Sequence, residues 1–406
     1  MYKCMKKIAI IGSGISGLSA AYYLSKTYNL KSINIFEKGK ELGGRIKTVN
    51  VSDCYIDIGA QFLTKQDRDA FKLIERAGIE RNLKKINMNF SFHDGEKLLS
   101  LSMINLIKNI SIKEKLEITK LFAKIKKISK TLDYLPADNV NSEYTTETFE
   151  SWYQENIGER MLWLYDSLLR SISFVTSERV SALYGLIIIR ALFEQCYSFN
   201  TGLSELINSM LNEMKDFDVH RETTVEKLDL TEFDKVVLSI PFPEARRLVR
   251  ELNVVNIRYS TCNYLILSLN KRLWVKDWAI FTPRDFLISF ITDETLKFSE
   301  KSKDNSILGI IIPEILESNQ ERLLGFVINK LNDLFSISEE DIIDYRIYKW
   351  EYALPVCSPE FHQNLRKIKE ISLDNVYLCG DYMSLPSLDG AIESGRLAAD
   401  RLTQKS

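Results

Sequence analysis

The residues best suited to chemistry gather near the start of the chain. Gly12-Ser13-Gly14-Ile15-Ser16-Gly17 has the form G-x-G-x-x-G, and Glu37 follows roughly 20 residues after the last glycine. Gly12 allows a tight turn. Gly14 has no Cβ, so a pyrophosphate can approach its backbone. Gly17 lets a helix pack close to a strand. Glu37 is placed to accept hydrogen bonds from both hydroxyls of an adenosine ribose. In Glu41-Leu42-Gly43-Gly44-Arg45, two glycines ahead of an arginine suit a backbone that passes close to an anion. Arg45 can then reach the pyrophosphate from the side opposite the helix. Read alone, the opening stretch serves NAD, NADP or FAD.

This chemistry requires particular elements to hold it. Lys7 to Ile11 is a short Ile-rich run, read as a buried parallel strand. Ile15 to Lys26 reads as a helix whose N-terminal N–H groups and partial positive charge suit phosphates. Ser32 to Phe36 is a second strand ending in Glu37, which completes a βαβ unit. The chain has 406 residues, enough for two domains or one large discontinuous one. A hydrophobic content of 45% supports a full core. Charges of 54 basic and 55 acidic residues argue against nucleic acid and a membrane surface as partners. Cys4, Cys54, Cys196, Cys262, Cys357 and Cys379 are scattered, and the histidines are His93, His220 and His362. That pattern argues against a metal site and against a disulfide framework. The basic start runs directly into the first strand, so no cleavable signal is read there. The longest apolar stretch, Ala182 to Phe193, contains Arg190 and is too short to span a bilayer. A cytoplasmic protein with reduced thiols is expected.

Further along, Tyr55 to Phe62 is read as a strand ending in a turn, and Asp67 to Gly78 as a helix closed by glycine. Met103 to Leu132 reads as a long amphipathic helical region with lysines on its solvated face. Asp133 to Thr146 is a polar connector. Three helices are expected at Thr148 to Ile157, Met161 to Ser171 and Val180 to Cys196. Phe217 to His220 is a strand, and Glu222 to Leu228 leads into another. Phe233 to Ser239 is a buried strand, and a helix over Pro243 to Leu252 follows it. Strands and turns run from Tyr259 to about Ile312, with a surface loop at Ser299 to Ser306. Pro313 to Leu334 is read as helical and Ile342 to Trp350 as a strand. Asn375 to Asp381 is a strand ending in Gly-Asp. A helix beginning near Leu388-Asp389-Gly390-Ala391 and running to Leu402 closes the chain. His93 and His220 are read as surface or loop residues without a catalytic role, and Cys357 and Cys379 as packed, inert thiols.

The opening βαβ unit, L-G-G-R, D-I-G-A-Q at Asp57 to Gln61 and the closing Gly-Asp and Asp-Gly-Ala together resemble the flavin-dependent amine oxidase superfamily. That group includes monoamine and polyamine oxidases, protoporphyrinogen oxidases and renalase-like proteins. Ser177-Glu178-Arg179-Val180-Ser181-Ala182 and Thr201-Gly202-Leu203-Ser204-Glu205-Leu206 resemble segments of its protoporphyrinogen-oxidase-like branch. The resemblance implies an α/β fold: a discontinuous Rossmann-like FAD-binding domain over 1–75, 215–258 and 345–406, with an inserted α+β substrate domain over 76–214 and 259–344. It implies FAD as the cofactor. Gly12, Gly14, Ile15, Ser16 and Gly17 would meet the phosphates, Glu37 and Lys38 the adenosine end, and Gly43, Gly44 and Arg45 the pyrophosphate. Gly59, Ala60, Gln61 and Phe62 would run beside the isoalloxazine ring, and Val225 would hold adenine through its backbone. Gly380 and Asp381 would meet the ribityl chain. Leu388, Asp389 and Ala391 would lie at a helix N-terminus that stabilises charge on the N1–C2=O side.

The implied reaction takes hydride from a C–N or C–C bond of a small organic substrate, an amine or a related reduced compound, to flavin N5, with O₂ as reoxidant. An NAD(P)-dependent oxidoreductase and a flavin-binding protein without turnover are the alternatives. No catalytic side chain is singled out. Two departures bear on the substrate. The lysine that many amine oxidases carry after the I-P turn is missing from Ser260-Thr261-Cys262-Asn263-Tyr264-Leu265. The paired aromatics of monoamine oxidases are replaced by Ser387 on one side and by Cys357 and Ser358 on the other. Both favour a desaturase, a porphyrinogen-type oxidase or an oxidase of a less usual amine.

Overall fold

A computed structural model of the chain describes residues 7–25, 33–87, 89–93, 96–101, 108–128, 142–214, 217–228, 230–273, 277–298, 305–314 and 319–404. Strand β1 (Ile8–Ile11) is buried along its whole length, as a run of apolar residues covered on both faces must be. Helix α1 (Ile15–Leu24) follows, then strand β2 (Ile33–Phe36). A five-stranded, all-parallel sheet forms in the order Asp218–His220, β2, β1, Lys235–Leu238, Val376–Leu378. Three distant stretches of chain therefore build one sheet. The C-terminal helix Leu388–Gln404 lies against α1. A Cβ on Gly395 would come within 2.1 Å of the Ser16 carbonyl oxygen, so glycine there lets the two helices touch. Ser19 Oγ donates to the Ile392 carbonyl at 2.8 Å and fixes their register.

The second large sheet has seven strands, in the order Ile342–Trp350, Cys262–Leu269, Ile307–Pro313, Phe290–Asp293, Ala279–Phe281, Phe90–His93, Leu98–Ser100. All its pairings are antiparallel except that of Ala279–Phe281 with Phe90–His93. Period-two alternation gives the strand Cys262–Leu269 two different faces. Leu265, Leu267 and Leu269 pack with Leu323, Val327 and Leu331 of helix Gln320–Phe335. Each buried leucine contributes roughly 1.5–3 kcal/mol. Cys262, Tyr264 and Ile266 point the other way, into the core shared with Ile56, Ile58, Cys357 and Tyr382. Helices Phe149–Asn156, Leu162–Ser173 and Ala182–Leu192 add to that core. No helix among the described residues is long and apolar enough to cross a membrane.

Many of the elements read from the sequence are present, with local corrections, but strands Phe90–His93 and Leu98–Ser100 and helices Ser204–Glu213 and Pro359–Glu370 have no counterpart in that reading. The third inserted helix stops at Leu192, and Cys196–Phe199 is a strand paired to Leu63–Thr64 and Leu83–Lys85. Only Cys196 of that strand falls within the expected helix, and ladder pairing on both sides holds it in the strand. Pro313 ends a strand instead of opening a helix; the helix starts at Gln320 under the Asn319 cap. Residues 223–228 form no strand. The helix after Pro241 ends at Leu248, and extended Val249 separates it from a short helical turn, Arg250–Val254. His93 and His220, expected as surface or loop residues, both lie in strands; His220 is exposed, and His93 is buried at 5% exposure. The parts of the expected elements at 26–32, 103–107, 129–141, 274–276, 299–304 and 315–318, and Cys4, lie outside the described residues.

Candidate functional site

The glycine turn closes by contacts that exclude side chains. Gly12 has φ 97°, and a Cβ on it would lie 2.5 Å from the Ser239 carbonyl oxygen. A Cβ on Gly17 would lie 2.2 Å from the Gly12 carbonyl oxygen. The turn is thus pinned between β1, α1 and the end of strand Lys235–Leu238, where Ser16 Oγ meets Ser239 Oγ at 2.7 Å. Gly14 differs: nothing lies within 4 Å of where its Cβ would be. Gly44 nonetheless packs on the Gly14 backbone, since a Cβ on Gly44 would come 3.0 Å from the Gly14 Cα, and Gly43 N–H donates to the Ser13 carbonyl at 2.9 Å. The G-G-R stretch therefore lies directly beside the glycine turn, with the N-terminus of α1, at Ile15 and Ser16, next to both.

Glu37 stands at the end of β2. Its Oε2 accepts from Ser13 N–H at 3.0 Å and from Ser13 Oγ at 2.6 Å, and its Oε1 accepts from Gly39 N–H at 2.7 Å. These bonds orient the carboxylate and leave an acceptor site on Oε1. Lys38 beside it is exposed. Thr223 N–H donates to the Glu37 carbonyl at 2.9 Å, which brings half-buried Val225 to this end.

At the other end, the Arg45 guanidinium donates to Asp381 Oδ2 at 2.6 Å and to the Ala353 carbonyl at 3.0 Å. Arg45 is one-third exposed and Asp381 is buried. Asp381 Oδ1 is buried without a hydrogen-bond partner among the described residues. Gly380, at φ 150°, donates its N–H to Ser394 Oγ at 2.9 Å. Gly59 is pressed on the G-G-R backbone, since a Cβ there would lie 1.9 Å from the Arg45 carbonyl oxygen. Ala60 N–H donates to that same carbonyl at 3.0 Å. Gln61 and half-buried Phe62 continue from it without regular structure, the strand having ended at Asp57.

Ser387 caps the C-terminal helix, its Oγ accepting from Gly390 N–H at 2.9 Å and its carbonyl from Ala391 N–H at 3.1 Å. Leu388 packs into the core under the parallel sheet. The Asp389 side chain is committed elsewhere: Oδ1 accepts from Asp69 and Ala70 N–H at 2.7 and 2.9 Å, capping helix Arg68–Arg76. Burial pushes its carboxyl up to about 7, and the neighbouring Asp67 and Asp69 carboxylates add to this. Sequence reasoning gave Ser394 no role, and it did not foresee the hydrogen bonds of Ala353, Ser239 and Ser387, which depend on which elements meet in the fold. It also missed Tyr259 and Tyr382, phenols that burial raises well above their ordinary value.

The described residues thus join both ends of the chain around one open glycine edge. A family profile described as flavin containing amine oxidoreductase matches residues 15–403. The chain belongs to that family. Its cofactor is FAD. The residues present fit the group: an open glycine edge at a helix N-terminus, an arginine beside it, and a buried carboxylate oxygen without a partner. Among curated relatives, mitochondrial protoporphyrinogen oxidase of Nicotiana tabacum is 28% identical over 165 residues, 39% of this chain and 30% of that protein. Coproporphyrinogen III oxidase of Bacillus subtilis (strain 168) is 21% identical over 98% of each chain. The first four curated relatives are matched over only 14%, 30%, 21% and 54% of their own lengths. Among solved structures, a putative protoporphyrinogen oxidase from Exiguobacterium sp. 255-15 superposes with a TM-score of 0.81 at 18% identity, over 99% of each chain. Cyclohexylamine oxidase from Brevibacterium oxydans IH-35A superposes with a TM-score of 0.77 at 16% identity, over 98% and 99% of the two chains. These two likenesses bear on the fold.

The positions without aromatic rings have structural tasks instead. Ser358 caps helix Pro359–Glu370, accepting from Phe361 N–H at 3.2 Å. Cys357 is fully buried, with Sγ 3.7 Å from His362 Nε2, and Ser181 Oγ lies 2.8 Å from the same nitrogen. Burial lowers His362 to about 4, with Arg366 adding to it, so the ring is neutral near pH 7. Burial raises the Cys357 thiol, which leaves it protonated.

Proposed function

We propose that this protein oxidises a small organic substrate at a C–N or C–C bond, within a substrate domain formed by 76–214 and 259–344 and an FAD-binding domain formed by the remaining segments. When bound, FAD supplies a hydride acceptor at N5 and passes electrons on to O₂. The chain's own residues bind and orient. Glu37 holds the ribose hydroxyls, with Val225 and Lys38 at the adenosine end. Gly14, Gly44, the α1 N-terminus with Ile15 and Ser16, and Arg45 hold the pyrophosphate. Asp381 Oδ1 accepts from a ribityl hydroxyl, and Gly380, where a Cβ would lie 2.6 Å from the Tyr382 ring, lets the backbone turn beside that chain. Gly59 to Phe62 flank the ring. The backbone at Leu388 to Ala391 faces its N1–C2=O edge, while the Asp389 carboxylate keeps its structural task.

The observation that carries this reading is the Arg45–Asp381 contact, which ties the G-G-R motif to the Gly-Asp motif 336 residues away. The substrate class follows from the departures. Ser387, Cys357 and Ser358 supply no ring pair around an amine, and each is engaged in the fold. We therefore favour a porphyrinogen-type or desaturation substrate over a primary amine, a choice the end-to-end match to a coproporphyrinogen III oxidase supports. A cytoplasmic location is part of the proposal; the buried thiols of Cys196, Cys262, Cys357 and Cys379 form no disulfide, which agrees with a reducing compartment.

The test is anaerobic reduction of the purified holoprotein with porphyrinogens, amines and reduced nicotinamides. Rapid bleaching of the flavin by porphyrinogens, with colour restored by air, is the expected result. Bleaching by NADH alone would overturn the proposal.

A further inference from the structure

A buried charged network joins the two large parts of the fold at the root of the D-I-G-A-Q stretch. Asp57 is 1% exposed and Lys297 is 2% exposed. Lys297 Nζ donates to Asp57 Oδ2 at 2.9 Å. The other partners of Asp57 come from separate elements: Thr48 Oγ1 at 2.7 Å and Leu203 N–H at 2.8 Å donate to Oδ1, and Ser198 Oγ at 3.2 Å donates to Oδ2. Gly202, at φ 79°, folds over this carboxylate so closely that a Cβ would lie 2.6 Å from Oδ1. Lys297 arrives from the opposite direction, on the short helical turn that leaves strand Phe290–Asp293 of the seven-stranded sheet. Glu294 on that turn is also buried and accepts from Thr292 Oγ1 at 2.6 Å. Burial raises the Glu294 carboxyl. Burial also opposes the charge on Lys297, but the Asp57 and Glu294 carboxylates outweigh it and keep the ammonium protonated.

We infer that the Lys297–Asp57 pair is a positioning device for the flavin ring, with Lys297 the residue through which the substrate-side sheet holds the Gly59–Phe62 stretch in place. An ion pair this deep is costly to desolvate and is weak grounds for stability in itself. Its location gives it another use. Asp57 lies two residues before Gly59, and the carbonyl of intervening Ile58 accepts from Trp350 Nε1 at 2.8 Å, a second tie to the same sheet. Movement of the substrate-side sheet is thereby transmitted to the backbone beside the ring. This rests on the reading above that Gly59 to Phe62 flank the flavin.

The test compares Lys297→Met, Lys297→Arg, the double variant Lys297→Met/Asp57→Asn, and Ala60→Leu as a reporter of that reading. Measured on each are thermal stability, FAD content, the visible absorption band of the bound flavin and its reduction potential in a dye-equilibrated dithionite titration. Lys297→Met should lose stability, shift the band and move the potential, with turnover of the best reducing substrate falling by order 10- to 100-fold. Lys297→Arg should return band and potential toward wild type. The double variant, which keeps an acceptor for Thr48 and Leu203 and removes the unpaired charge, should recover stability while band and potential stay displaced. It also carries the test if Lys297→Met does not fold. A wild-type band and potential in Lys297→Met or in the double variant, alongside a displaced band in Ala60→Leu, would overturn the inference alone. An unchanged band in Ala60→Leu would overturn the placement of the Gly59–Phe62 stretch, and the inference with it.

Discussion

The two large sheets meet their tasks by opposite means. The parallel sheet presents backbone: glycine edges, helix N-termini and carbonyl oxygens, with few side chains in direct use. The seven-stranded sheet presents side chains, apolar toward helix Gln320–Phe335 on one face and mixed toward the shared core on the other. Backbone chemistry tolerates only glycine at certain points, so it leaves a readable mark. Side-chain chemistry can be met by many residue sets, so the second sheet carries no comparable signature.

This contrast predicts unequal responses to substitution. The largest effect is expected for Gly12→Ala. It combines the Ser239 clash with about 1–3 kcal/mol of backbone strain at positive φ. The purified variant should carry no FAD by its visible spectrum; full occupancy would mean that the turn does not hold the cofactor. Leu267→Ala comes next. It should cost about 2–5 kcal/mol in a denaturant titration, because it opens a cavity between the sheet and helix Gln320–Phe335. The fraction that remains folded should still bind FAD stoichiometrically. Parallel loss of cofactor and stability would erase the distinction between the two sheets.

Much of the first region was legible because its constraints are local. Gly12, Gly14 and Gly17, the acid at Glu37 and the Gly44–Arg45 pair stand where the fold brings them together. The closing helix was legible from its Gly-Ala start, and its contact with α1 through Gly395 was not, because nothing local signals that approach. The Asp389 carboxylate likewise reads as a helix-start residue in sequence, yet it caps a different helix. Between the two regions, the small sheet containing Cys196–Phe199 was not legible, because its partners Leu63–Thr64 and Leu83–Lys85 lie more than 100 residues earlier in the chain. Pro313 reads as a helix start, yet it closes the last rung of a ladder with Cys262. The buried Lys297–Asp57 pair left no mark, since nothing local to Leu296-Lys297-Phe298 signals a carboxylate partner 240 residues away.

Asp389 gives a smaller and more specific test. Its carboxyl sits at about 7 in the folded protein, against about 3.9 for an unperturbed aspartate. Between those values the folded state holds a proton that the unfolded chain has released. The stabilising contribution is therefore complete below about pH 4, falls by about 1.4 kcal/mol per pH unit as pH rises toward 7, and is flat above. Asp389→Asn keeps the acceptor for Asp69 and Ala70 and removes this dependence. Melting temperatures across pH 4 to 8 should show the variant gaining on wild type as pH rises. Parallel curves would mean that Asp389 titrates normally.

The most direct test of a cofactor site built from both ends of the chain is a double-mutant cycle for FAD affinity. Kd would be measured for wild type, Arg45→Gln, Asp381→Asn and the double variant. Direct contact at 2.6 Å between the two side chains predicts a coupling energy of about 1 kcal/mol or more. Effects that add to within about 0.3–0.5 kcal/mol would mean that the two motifs bind independently, and would contradict a single site closed by Arg45 and Asp381.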